Sequence, residues 1–413
     1  MRNLLSAEQV ASRLGVQLKT VYVYVSRGLL QRTLTDDGRK SLFEPQQVEQ
    51  LARRGRPRQG SRPVGSIDVS IATSITAIHS DRLLFRGHDV RTLCEQPFEH
   101  TAELLWSGEL VTQVAWPARG DVRAIALGAA LPLDSPATER FAVVAAALAC
   151  HTPLRVDLQP SAVMRHARLL LATFVDCLPR LPRTPRPPLT AGSEPRPSRR
   201  TPNRLAVRLW PRLSVLPAST ARVACLDTAL CLLADHELAT STLAARVAAS
   251  TRADPCSVVL CGLGAVSGPL HGKAALEAHQ LLLDAQQTGA PERAVARTLA
   301  QRGRLIGFGH PVYRGADPRA QCLLERVMPL AKRRERATVE AVLTAAATSV
   351  EHPPNVDFAL AAFAFLLHMP LGATEAVFAI ARTAGWIAHA LEEYAEPPLR
   401  FRARALYVGA LSQ

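Results

Sequence analysis

The run TEAVFAIARTAGWIAHALEEY (374–394) decides the class of fold. Val377, Ile380, Ala381, Ala384 and Leu391 recur at helical spacing, so it reads as a long helix with one apolar face, and Arg382 lies in its interior. The rest of the chain is written in the same alphabet. Apolar residues make up 48% of the 413 residues and aromatics only 5%. A core rich in Ala, Leu and Val favours helices packed on helices over a β-sandwich. The length exceeds a single typical domain, so two or three folding units are expected. No uncharged apolar stretch of about 18 residues occurs, and the start (MRNLLSAEQVASR) lacks the apolar core of a signal peptide. A soluble, cytoplasmic protein without a membrane span is expected. The eight cysteines form no CxxC pair and read as small buried hydrophobes in a reducing compartment, not as metal ligands.

The net charge of +14 is concentrated in two places. Residues 1–63 hold twelve Lys/Arg against five acids, and residues 178–204 hold seven Arg and one Glu. What is left carries only +1, which argues against a nucleic-acid-binding body and leaves room for a nucleic-acid-binding appendage. The segment LPRLPRTPRPPLTAGSEPRPSRRTPNR (178–204) has eight Pro and reads as an exposed basic insertion that cannot pack as a helix or central strand.

The N-terminal residues read as two short helices about a turn. Ser6 is the expected N-cap of the first (7–14), Gly15 supplies the turn, and the second runs from about Leu18 to Arg27 with Gly28 as its stop. Residues 36–54 read as a hairpin wing followed by a helix after Pro45, and GRPRQGSRPVGS (55–66) as a linker. This arrangement resembles the winged helix-turn-helix of MerR-like and excisionase-like proteins.

Four islands in the last 190 or so residues gather His, Asp and Arg beside Gly at expected helix ends. In ADHELATSTLAARV (234–247), His236 follows a helix striped by Val223, Leu226, Leu230 and Leu233; alone, it reads as a structural histidine. In GPLHGKA (268–274), His271 stands at a helix start, where the helix dipole favours the neutral imidazole that could hydrogen-bond a developing enolate. In GFGHPVYRGADPRAQ (307–321), Gly307 and Gly309 bracket Phe308, then His310, Arg314, Asp317 and Arg319 follow. Asp317 reads as a helix N-cap, and Arg319 is free to reach an anion from the first turn. In PNVDFALAAFAFLLHMP (354–370), Asp357 opens an apolar helix, either as an N-terminal-turn residue or as a base made stronger by apolar surroundings. Arg400, Arg402 and Arg404 cluster near the C-terminus. Two imidazoles, a carboxylate and several guanidiniums suit proton abstraction beside a carbonyl on a polyanionic substrate.

The wording and order of ADHEL, GPLHG, GFGHPVY…DPRA, PNVDF, FAIARTAGWIAH and R-x-R-x-LYVG, with DRLLFRGHDVRTL (81–93) and AELLWSGEL (102–110), are similar to the citrate synthase family. The resemblance covers roughly 67–413 outside the insertion, and the added helix-turn-helix resembles bacterial fusions of the two modules. It implies a mainly α, two-domain helical fold plus the winged module (1–54). The large domain would comprise 67–267 and 381–413, the small domain 268–380. It further implies condensation of acetyl-CoA with oxaloacetate and no cofactor. Asp357 would remove a methyl proton, His271 would hydrogen-bond the thioester oxygen, and His310 would protonate the ketone. Oxaloacetate would be held by His236, Arg319, Arg382 and, from the second subunit of a homodimer, Arg402. CoA would lie along Gly307, Phe308 and Gly309, with Arg314 facing its phosphates. Three departures stand out: Lys273 in place of a small residue, the 178–204 insertion, and Ala403 within R-x-R. Two other readings remain. One is 2-methylcitrate synthase using propionyl-CoA. The other is a DNA-binding regulator, through residues 1–54, with the synthase body as metabolite sensor, alone or combined with activity.

Overall fold

The computed structural model describes residues 4–14, 16–26, 29–34, 41–44, 47–48, 70–79, 82–112, 115–182, 204–269, 271–313 and 315–402. The chain divides into two compact units, Met1–Ile71 and Ala72–Gln413. The sequence-based expectations at Gly15, Arg27, Gly28, Pro45, 49–66, most of the 178–204 insertion (183–203), Arg314 and Arg404 lie outside the described residues.

In the first unit, α1 (Ala7–Leu14) and α2 (Leu18–Ser26) accompany a three-stranded antiparallel sheet. Its strands are β1 (Leu5–Ser6), β2 (Arg32–Leu34) and β3 (Ser41–Phe43), with β3 central and Phe43 opposite both Leu5 and Arg32. Ser6 caps α1 reciprocally: the Gln9 amide donates to Ser6 Oγ (3.3 Å) and the Ser6 amide to Gln9 Oε1 (2.8 Å). Val10, Val21, Leu30, Phe43 and Val48 form a small core, while α2 exposes Leu18, Tyr22 and Val23.

In the second unit, a meander of β4 (Thr76–His79), β5 (Arg82–Phe85) and β6 (His88–Asp89) leads into a helical body. Its first helices are α3 (Val90–Leu93), α4 (Phe98–Ser107), α5 (Val122–Ala129), α6 (Ala137–His151), α7 (Pro160–Cys177), α8 (Leu205–Leu213) and α9 (Thr220–Leu233). Then follow α10 (Thr240–Ser250), α11 (Pro255–Val266), α12 (Ala274–Thr288), α13 (Pro291–Arg302), α14 (Pro318–Val327), α15 (Arg333–Ser349), α16 (Val356–Leu366) and α17 (Ala373–Ala395). No helix among the described residues is long and apolar enough to cross a membrane. The ends of the 178–204 insertion are tied to the body. The Leu181 amide donates to the Pro211 carbonyl (3.0 Å), and Arg204 pairs with buried Asp227.

Helix α17 differs from the one-faced helix that its periodicity suggests: every residue from Ala373 to Ala390 is buried. A helix apolar nearly all round belongs at the centre of a helical body, where neighbours cover every face. Helices α4, α7, α9, α10 and α11 pack around it. Small residues permit that crowding. A Cβ on Gly385 would stand 2.4 Å from the Ala234 carbonyl oxygen and 2.5 Å from Asp235 Oδ1, so the glycine lets α17 touch the end of α9. The Trp106 indole donates to the Ala384 carbonyl (2.9 Å) from another side.

We expect Gly385→Ala to destabilise the protein by about 2–4 kcal/mol, because the new methyl meets backbone and a buried carboxylate. A denaturant midpoint unchanged from wild type would show that the two helices can part at little cost.

Candidate active site

The residues singled out in the sequence come from six places in the second unit. His236 follows the end of α9 and is buried beside Asp235. His271 lies in the turns between α11 and α12, His310 in the loop before α14, Arg319 in the first turn of α14, and Asp357 in the first turn of α16. Arg382 projects from the middle of α17 and is 2% exposed.

Asp317 organises the centre. It caps α14 by accepting the Arg319 amide (3.0 Å), and its carboxylate also takes Arg319 Nε (3.0 Å) and Nη2 (2.8 Å). Its second oxygen accepts the Val356 amide (3.0 Å), which joins the start of α14 to the start of α16. The pair is nearly inaccessible to water, and Arg319 holds the Asp317 carboxyl below the usual range despite its burial.

Arg319 Nη2 also lies 3.2 Å from His310 Nε2. The Val312 amide donates to His310 Nδ1 (3.1 Å), so the neutral ring carries its proton on Nε2. A guanidinium can only donate. With its proton on Nε2, His310 turns an N–H towards the Arg319 guanidinium, an opposition of two donors that an acceptor oxygen bound between them would relieve. Burial, followed by Arg319, lowers the His310 pKa to about 4, so the ring is neutral at pH 7. His236 stands edge-on to His310 with ring centres 5.1 Å apart, and its Nε2 is 3.1 Å from the Tyr313 hydroxyl. Burial, then Arg319 and Arg382, push its pKa well below the ordinary imidazole value.

His271 Nε2 meets Ser241 Oγ at 2.8 Å, and the ring stands edge-on to Phe378. Against the expectation of a place at a helix start, His271 stands ahead of the helix, which begins at Ala274 with Lys273 as its cap; burial, and then Arg382, lowers its pKa. Arg382 stacks over Phe378 (4.9 Å) and gives Nε to the Leu233 carbonyl (2.9 Å). Burial, with Arg319 adding repulsion, brings its pKa down to about 10. Asp357 is half-buried, and its pKa rises to about 6 through burial, which Arg319 opposes and Asp317 reinforces. It is a carboxylate at pH 7 and a stronger base than a solvated one.

The Gly307–Gly309 loop is pinned to the approach of α16. Asn355 N donates to the Gly307 carbonyl (2.9 Å), Gly309 N to that of Pro353 (2.9 Å), and Asn355 Nδ2 to that of Gly309 (2.7 Å). Gly307 has φ +89°, and a Cβ there would press on Phe358 at 3.0 Å. Phe308 packs against Phe358 with ring centres 5.0 Å apart. Arg402 is exposed at the end of the described residues, and Arg314 lies outside them. Ser241 and Tyr313 were not singled out in the sequence. Both sit inside the motifs quoted above, but a hydroxyl carries no charge or helix-end signal to mark it.

Comparison with known proteins supplies the context. Residues 68–404 match the family model described as citrate synthase, C-terminal domain. The chain is 37% identical over 203 residues to citrate synthase of Saccharolobus solfataricus, covering 46% of this chain and 53% of that one. It is 35% identical over 199 residues to citrate synthase 2 of Bacillus subtilis, covering 46% and 52%. The match thus spans about half the length of these curated relatives. Among solved structures, citrate synthase of Thermoplasma acidophilum, in ternary complex with carboxymethyl coenzyme A and oxaloacetate, shares the fold with a TM-score of 0.68 at 24% identity, covering 84% of this chain and 96% of that one. Citrate synthase of Thermotoga maritima gives 0.63 at 23%, covering 87% and 97%.

The raised pKa of Asp357 has a stability consequence. Between the ordinary carboxylate value of 3.8 and about 6, the folded protein keeps a proton that the unfolded chain has released, so stability falls as pH rises through that window. Asp357→Asn should therefore stabilise the fold at pH 8 by on the order of 1–3 kcal/mol and leave it unchanged near pH 3. Thermal melts at the two pH values test this; equal shifts at both would mean that the carboxylate is not destabilised in the fold.

Proposed function

The chain belongs to the citrate synthase family, and on that premise we propose that it condenses acetyl-CoA with oxaloacetate, releasing citrate and CoA. One observation carries the reading: two donors, His310 Nε2–H and Arg319 Nη2, face each other at 3.2 Å in a site that also holds the basic carboxylate of Asp357. Asp357 removes a methyl proton from the thioester while His271, neutral and steadied by Ser241, hydrogen-bonds the thioester oxygen. The enol carbon attacks the ketone of oxaloacetate, and His310 delivers its Nε2 proton to the oxygen as it becomes an alkoxide. Water then cleaves the thioester. His236, Arg319 and Arg382 bind the carboxylates of oxaloacetate, with Arg402 contributed by a second subunit. Guanidiniums suit this because each forks onto a carboxylate and fixes its orientation. The coenzyme lies along Gly307, Phe308 and Gly309, with Arg314 at its phosphates.

His271, His310, Arg319 and Asp357 fall in a small domain of residues 268–380, and His236 and Arg382 in the large domain, so closure between the two would exclude water from the enolate. A homodimer would form on the apolar, small-residue face exposed by Val143, Ala146 and Cys150 of α6, Val247 of α10, and Cys261 and Gly264 of α11. The site lies in the cytoplasm in this reading. Residues 1–54 form a MerR-like winged helix-turn-helix that contacts DNA. The excess of twelve Lys/Arg over five acids in residues 1–63 supports this, as do the exposed side chains of α2.

With oxaloacetate and acetyl-CoA the purified protein should release CoA, and Asp357→Ala should lower kcat by at least about 10²-fold. The ratio of acetyl-CoA to propionyl-CoA turnover identifies the donor, since one methylene is worth only about 1–3 kcal/mol. Folded protein inactive with both donors would overturn the assignment. DNA affinity should fall steeply between about 50 and about 200 mM salt, and salt-insensitive retention would rule out phosphate contacts.

A further inference from the structure

Tyr313 is 5% exposed and touches three of the groups assigned above to oxaloacetate. Its hydroxyl is 3.1 Å from His236 Nε2, its ring centre is 4.9 Å from that of His310, and the Arg319 guanidinium carbon lies 5.5 Å over the ring. Burial pushes the phenol pKa up to about 12, so it keeps its proton at any working pH. A neutral imidazole has one donor and one acceptor nitrogen, and a phenol that donates to Nε2 selects the tautomer with its proton on Nδ1.

We propose that Tyr313 is a positioning residue for the keto diacid: its hydroxyl sets the tautomer and tilt of His236, and its ring is the surface on which His310 and Arg319 are placed. Tyr313 thereby governs affinity for the acceptor substrate rather than the rate of proton abstraction. The inference rests on the proposed function for its kinetic side, but the tautomer of His236 can be read without substrate.

Tyr313→Phe keeps the ring and removes the hydroxyl; Tyr313→Leu removes both. For Tyr313→Phe we expect the KM for oxaloacetate to rise about 3–10-fold, the worth of one hydrogen bond, with kcat and the KM for acetyl-CoA within about twofold of wild type. Tyr313→Leu should raise the KM for oxaloacetate further. In 15N-histidine spectra of the substrate-free protein, with His236 assigned through His236→Gln, wild type should show one tautomer and Tyr313→Phe a mixture. Unchanged KM and an unchanged His236 spectrum in Tyr313→Phe would overturn the proposal, as would equal losses in kcat and both KM values. Wild-type protein that turns over no substrate would sink the synthase reading instead, while the His236 spectra would still decide the role of Tyr313.

Discussion

The site depends on one buried ion pair, Asp317 with Arg319. Taking two charges out of water is costly, and the cost is met only when every acceptor and donor finds a partner. Here the Asp317 carboxylate receives three N–H groups of Arg319 and the Val356 amide. The same contacts join the first turns of α14 and α16, which brings Arg319 to the loop of His310 and sets Asp357 in the same field. Losing Asp317 would leave a guanidinium buried without its anion and release two helix starts at once.

Around that pair, charge is graded. Burial first, then Arg319 and Arg382 at His236, Arg382 at His271 and Arg319 at His310, disfavours the protonated imidazoles, so the neutral rings can act as hydrogen-bond donors. The same guanidiniums pull the Asp357 pKa down while burial pushes it up, and burial prevails. The balance leaves a carboxylate ionised at pH 7 yet more basic than one in water, which a base for a weakly acidic C–H requires.

A second polar network anchors the other side. Asp235, next to His236, accepts from Thr76 and lies 3.3 Å from His389 Nε2; Arg246 donates to His389 Nδ1 (3.0 Å), which places the His389 proton on Nε2 facing Asp235. Arg246 pairs in turn with Glu392 and Glu393, and Glu393 takes a two-pronged contact from Arg400. Buried groups linked in this way tie the strand of Thr76, the end of α9, α10 and α17 together.

Local sequence carried much of this. Helical periodicity, the Asp317-Pro318 cap, the Ser6 cap and the clustering of His, Asp and Arg beside glycines were all legible, because each depends on neighbours within a turn or two. The burial of α17 on every face was not: apolar periodicity reports the most apolar side, whereas whether the other sides are covered depends on helices distant in sequence. Nor were Ser241 and Tyr313, whose hydroxyls acquire meaning only from the histidines that folding sets against them. Nor was the setting of His271 legible, since the burial and the distant Arg382 that lower its pKa arise only on folding. The sequence by itself determined which groups are available and which helices carry them. Tertiary structure alone decided their protonation states and partners, because desolvation and charge–charge interaction depend on distance in space rather than along the chain.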